Sequence, residues 1–141
     1  MDIKTQDKMK KFLSMLVVVT ILTSCDPPPT IYRKIIVNNT NYELSVVKYG
    51  SNKVVTNSYV LKPNTQSVIQ NRSMMDRLTE GNCILKTGDS LAVFVNNNAA
   101  LKVATDLNKE SSWMGKSSGN SAKGYTLECK ATITNSDIAP K

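Results

Sequence analysis

Tyr125, Leu127, Cys129, Ala131 and Ile133 alternate with Thr126, Glu128, Lys130, Thr132 and Thr134. A strict period of two over ten residues demands a β-strand with one buried and one wet face. Less clean alternation follows Tyr42, Leu44 and Val46 against Glu43, Ser45 and Val47. β-branched or alternating runs recur at residues 31–37, 54–61, 67–70, 90–95 and 101–105. Turn-forming residues separate most of them: Asn38-Asn39-Thr40-Asn41, Gly50-Ser51-Asn52, Lys62-Pro63-Asn64, Gly88-Asp89 and Asn96-Asn97-Asn98. About seven short strands at this spacing predict an all-β fold, a single antiparallel β-sandwich. The one helix candidate, residues 73–79, is short and poorly patterned. Residues 111–124 are rich in Ser, Gly, Lys and Asn, and predict a flexible loop that feeds the last strand.

Ahead of this domain, Lys8, Lys10 and Lys11 precede an apolar run from Phe12 to Leu22. Eleven helical residues at about 1.5 Å each cover only about half of a hydrocarbon core roughly 30 Å thick, which fits a cleaved signal better than a permanent span. Leu22-Thr23-Ser24-Cys25 resembles the bacterial lipobox, whose cysteine thiol receives diacylglycerol before cleavage. The resemblance covers residues 9–25 and implies that Cys25 becomes the first residue of the mature chain, anchored by acyl chains such as palmitate. Each buried methylene contributes about 0.8 kcal/mol, so two or three chains hold stably where one does not. Pro27, Pro28 and Pro29 favour a stiff polyproline II spacer behind the anchor. Met9-Lys10-Lys11-Phe12 has the form of a lipoprotein start in its own right, so Met1 and Met9 both stand as start codons. The organisation expected is residues 1–24 as signal peptide, 25–30 as lipidated Cys and spacer, and 31–141 as the sandwich.

The layout as a whole resembles a group of small Bacteroidota lipoproteins. The matching pieces are the lipobox, the early Asn-rich turn, the Pro63-Asn64 turn, residues 88–94 as a central strand, an Asn-plus-Trp segment, and a terminal strand over residues 125–137 that ends in Ile133-Thr134-Asn135-Ser136-Asp137. The resemblance implies an immunoglobulin-like sandwich in the bacterial cell envelope, lipid-anchored, in the outer membrane and on its periplasmic face. The single acid Asp26 after Cys25 resembles the inner-membrane retention signal of enteric bacteria and, in the Bacteroidota type, makes a weak surface-export signal. The resemblance implies no catalytic residues.

Of the 141 residues, 18 are basic and 11 acidic. The leader removes Lys4, Lys8, Lys10 and Lys11 together with Asp2 and Asp7, which leaves 14 against 9 on the mature chain. These charges are scattered singly along the chain apart from Arg33-Lys34, and few aromatics lie among them. Nucleic-acid binding needs a coherent basic stripe, so a solvated surface is the expectation.

Once Cys25 is assigned to lipid, Cys83 and Cys129 form an even pair. Outside the cytoplasm such a pair reads as a disulfide, with two buried free thiols as the other reading. The chain has no histidine, which removes Ser-His-Asp and Cys-His catalysis and the commonest zinc sites. No metal and no cofactor are expected, because the acidic residues are isolated too. Ser45-Val46-Val47-Lys48, Lys86-Thr87-Gly88 and Ser118-Gly119-Asn120 match the short motifs of penicillin-binding proteins. That chemistry requires the serine and lysine on one helical face, whereas here they fall in a period-two stretch. Asp89-Ser90-Leu91 resembles an O-glycosylation sequon, but a strand interior is a poor acceptor.

Trp113 has two readings: an indole plugging a loop onto the core, or an exposed platform for sugar rings. The function expected is that of a non-enzymatic envelope accessory, structural or protein-binding. A glycan-binding module using Trp113 and an enzyme of unrecognised type are the alternatives. The partners expected are the membrane through the N-terminal lipid and a protein or polysaccharide of the envelope.

Overall fold

The computed structural model describes residues 28–74, 83 and 88–141. Cys25, the leader and most of the helix candidate at residues 73–79 lie outside these. Ser73 and Met74 close a strand. The described residues form nine strands: β1 (Thr30–Asn39), β2 (Leu44–Tyr49), β3 (Val55–Leu61), β4 (Thr65–Met74), β5 (Ser90–Val95), β6 (Leu101–Val103), β7 (Met114–Asn120), β8 (Gly124–Thr134) and β9 (Ile138–Pro140). They assemble into sheets of order β4-β1-β8-β7 and β3-β2-β5, with a β6-β9 ribbon, in a sandwich-like all-β arrangement.

The alternation anticipated in the last long strand holds in β8 from Leu127 onward, where Leu127, Cys129, Ala131 and Ile133 are buried and Thr132 is exposed, whereas Tyr125, expected on the buried face, is 39% exposed near the start of the strand. They meet Leu44, Val46, Leu61, Leu91 and Val95 from the second sheet, while Leu101, Val103 and Ile138 of the ribbon pack at the margin. Burying such side chains contributes roughly 1.5–3 kcal/mol each and is what holds the layers together.

Five expectations are corrected. The sandwich is not wholly antiparallel, because β1 runs parallel to β8 in register Ile31↔Thr126 to Asn39↔Thr134. Turn residues report how neighbouring strands connect; they carry no information on strands that meet across most of the chain. The count is nine strands, not about seven, because β7 and β9 carry no alternating pattern. β7 replaces the expected flexible loop: every residue of it is exposed, and backbone pairing with β8 from Met114↔Lys130 to Asn120↔Gly124 holds it. A strand secured by main-chain bonds alone leaves no side-chain signature. Finally, β5 is an edge strand of its sheet, not a central one, and the terminal strand stops at Thr134, where a 3₁₀ turn (Asn135–Asp137) follows.

The chain enters the domain beside the β7–β8 hairpin. Gly124 has φ +89°, and a Cβ there would lie 2.5 Å from the Pro29 carbonyl oxygen, so glycine lets the spacer pass close over the hairpin. The Asn-rich turn after β1 is organised by Asn38, which is fully buried. Its Nδ2 donates to the carbonyls of Tyr42 (2.8 Å), Leu61 (3.0 Å) and Lys62 (3.1 Å), and its Oδ1 accepts from the Thr40 amide (3.0 Å) and hydroxyl (2.7 Å).

Candidate functional site

Cys83 and Cys129 are joined as a disulfide, with Cα atoms 5.6 Å apart and 46 positions apart in sequence. Cys129 faces inward on β8, as its alternation required, and Lys34 stands next to it in the parallel register of β1. The surface expectation for Arg33-Lys34 fails here: Lys34 is on the buried side of β1 and has no exposed surface. Its Nζ donates to the Cys83 carbonyl oxygen and lies 4.2 Å from the centroid of the Trp113 ring. Burial lowers the Lys34 pKa from 10.5 to about 8, and the neighbouring Arg72 and Lys48 charges push the same way.

Trp113 is 8% exposed and sits in the core. Its Nε1 donates to the Leu107 carbonyl at 2.9 Å. One face of the ring is occupied by the Lys34 ammonium, so the indole plugs the loop onto the core and presents no platform for sugar stacking. A lysine of lowered pKa is a candidate nucleophile wherever a substrate can reach it. Lys34 is enclosed by Trp113 and the Cys83 backbone, so its chemistry is that of a buried structural cation.

The residues of the penicillin-binding-protein motif are likewise apart. Ser45 and Lys48 lie on β2, where the Ser45 hydroxyl donates to Asn96 Oδ1 at 2.7 Å and Lys48 Nζ meets Asp89 Oδ2 at 3.0 Å. Among the described residues no group of three or more His, Cys, Asp or Glu side chains could hold a metal ion, and no helix is long and apolar enough to cross a membrane.

One accessible feature adjoins the turn between β5 and β6. A groove of about 610 Å³ runs beside Val93, Phe94 and Val95, faces Leu101 and Lys102 of β6 and Lys141, and is closed at one end by the Asn96–Asn98 turn. Phe94 is 48% exposed. At the other end of the strand, the Leu91 amide donates to Asn108 Oδ1 (2.7 Å) and Asn108 Nδ2 donates to the Leu91 carbonyl (2.9 Å). Nothing in the sequence singled out Asn108; its loop is fixed through Asp106, whose carboxylate accepts from the Asn108 amide at 3.0 Å. No protein-family profile, no curated protein and no solved structure matches the chain.

Proposed function

We propose that the chain is a lipid-anchored accessory of the bacterial envelope, an immunoglobulin-like sandwich of the Bacteroidota lipoprotein type that works by binding a protein partner. The observation that carries this reading is the Cys83–Cys129 bridge through the core. Structural disulfides persist in oxidising compartments, and this one lies behind a leader that ends in a lipobox-like Leu22-Thr23-Ser24-Cys25. The spacer supports it: Pro29 runs onto β1 beside the β7–β8 hairpin, so a lipid on Cys25 would tether one pole of the sandwich and leave the other free.

The test is metabolic labelling of the full chain with an alkyne-tagged palmitate in a lipoprotein-competent bacterium. The wild type should take up label and partition into detergent, and Cys25→Ser should do neither. Equal labelling of the two proteins would reject the anchor.

A further inference from the structure

We infer that the groove beside the Asn96–Asn98 turn binds an acidic saccharide, with Phe94 as the surface on which a sugar ring stacks. The inference goes beyond the reading above: neither a lipid on Cys25 nor a protein partner enters it.

The turn is built to hold its shape. Two of its three carboxamides are spent inside the protein. Asn96 Oδ1 accepts from the Ser45 hydroxyl at 2.7 Å, its Nδ2 donates to the Glu43 carboxylate at 2.8 Å, and its amide donates to the Glu43 carbonyl at 2.9 Å. Asn98 Oδ1 accepts from the Ala100 amide at 3.2 Å, and the Ala100 carbonyl accepts from the Lys141 amide at 2.9 Å. Asn97 stands between them at φ 59°, a left-handed conformation that asparagine adopts more readily than most residues. Its side chain is exposed and makes no hydrogen bond among the described residues. A carboxamide carries two N–H donors and an acceptor oxygen, which suit neighbouring hydroxyls that each donate and accept. The fixed backbone around it spares a ligand the cost of ordering the turn.

Phe94 supplies the apolar wall. Alternation along β5 buries Leu91 and Val95 and sets Phe94 and Asn96 on the opposite face, where Ser45 pairs with Phe94 and reaches Asn96. The Phe94 ring is 48% exposed, whereas Trp113 is withdrawn into the core. A pyranose offers an apolar C–H face to such a ring and keeps its hydroxyls at the polar rim. β6 packs close beside β5, so the space lies at the turn and over Phe94 and suits a ring rather than a strand. Its volume of about 610 Å³ falls within the range of small-molecule sites.

Charge selects among sugars. Lys102 and Lys141 are the ionisable residues that line the groove, and both are exposed. Lys102 points away from the core on which its neighbours Leu101 and Val103 pack. Exposed ion pairs contribute little by themselves, so a carboxylate alone binds poorly here; carried on a sugar ring, it adds selectivity to stacking and hydrogen bonding.

The full chain in detergent micelles, labelled for amide NMR, is titrated with short oligomers of a uronic acid, with the same oligomers reduced to the neutral sugar, and with acetate. The acidic oligomer should move the amides of Phe94, Asn97 and Lys102 saturably, the neutral oligomer should bind several-fold more weakly, and acetate at equal carboxylate concentration should leave them in place. Phe94→Ala should weaken binding by about tenfold, and Phe94→Trp should keep it. Asn97→Gly, which accepts the positive φ, should weaken both oligomers several-fold. Lys102→Met should bring the acidic oligomer close to the neutral one. Unmoved β8 amides show that each variant is folded. No saturable shift, full binding by the Phe94→Ala variant, or acetate acting like the oligomer overturns the inference. Equal affinity for the two oligomers overturns the acidic class that defines it. A protein partner that covers Phe94 and Asn97 and is not displaced by saturating oligomer assigns the groove to protein and overturns it as well.

Discussion

The Lys34 ammonium stands 4.2 Å from the centre of the Trp113 ring and donates to the carbonyl of Cys83, so one buried cation ties β1 to the loop before β7 and to the disulfide. A buried charge is costly to desolvate, and its partners return only part of that cost. The butyl stem also fills core volume. Lys34→Met keeps the volume and removes the charge, whereas Lys34→Ala opens a void. Urea unfolding at pH 7 should find the Met variant more stable than the Ala variant by about 2 kcal/mol. Equal losses would mean that the charge and not the stem stabilises the site.

The same lysine makes stability depend on pH with a defined sign. Its pKa is about 8 in the folded protein and near 10.5 in the unfolded chain, so between these values the unfolded state binds more protons and stability rises with pH. The penalty for the charged form is fully present below pH 8 and is relieved above it, a gain of about 2 kcal/mol between pH 8 and pH 10. Tyr32 sets the upper end. Burial raises its pKa above 10, against the opposing charge of Arg72, so the folded state holds that proton after the unfolded chain has released it and stability falls again. Denaturation midpoints measured across this range should rise and then turn over. Lys34→Met should abolish the rise; an unaltered rise in that variant would assign it to another group.

How far the sequence carried this structure is visible residue by residue. The β8 alternation announced its buried face, because a two-sided environment writes a two-residue period. Residues 31–37 announced a strand but misplaced Lys34: its long apolar stem makes it the one basic residue that can stand in line with Tyr32 and Ile36, and only the presence of Trp113 and the Cys83 carbonyl behind β1 decides that it does. β7 was unreadable because its stability is all backbone, and the parallel β1–β8 pair because no turn joins those strands. The β5 edge was hidden for a related reason. Residues 90–95 have the apolar content of a central strand, and whether a second neighbour stands beside them is a property of the assembled sheet.

The disulfide yields a second stability test. Cross-linking residues 46 apart removes about 4 kcal/mol of unfolded-chain entropy in the loop-closure picture, and less where the unfolded chain retains structure. Oxidised protein should show no titratable thiol from Cys83 or Cys129 after denaturation. Reduction should lower the unfolding free energy by roughly 2–4 kcal/mol. An unchanged unfolding midpoint after complete reduction would contradict this.

Asn38 offers the sharpest test of how the β1–β2 turn is built. Its amide nitrogen serves three carbonyls and its oxygen two donors of Thr40, and the Asn38 side chain itself has no access to water. Asn38→Asp keeps the shape and the oxygen that Thr40 requires, but turns the donating end into a second acceptor aimed at the carbonyls of Tyr42, Leu61 and Lys62. Asn38→Ala removes both ends without adding repulsion, and the Tyr42 carbonyl keeps the Thr40 hydroxyl while the Lys62 carbonyl keeps Thr65. Leaving a buried polar group unsatisfied costs about 1–3 kcal/mol, and more when a charge is buried with it. At pH 7 both variants should lose stability, N38D by about 1–2 kcal/mol more than N38A. The gap should narrow at low pH, because the introduced carboxyl, once protonated, regains one donor toward the Tyr42 and Leu61 carbonyls. Thermal unfolding of the two variants at pH 7 and pH 4 measures this directly, and an N38D protein as stable as wild type at pH 7 would show that the three carbonyls do not depend on the Asn38 amide.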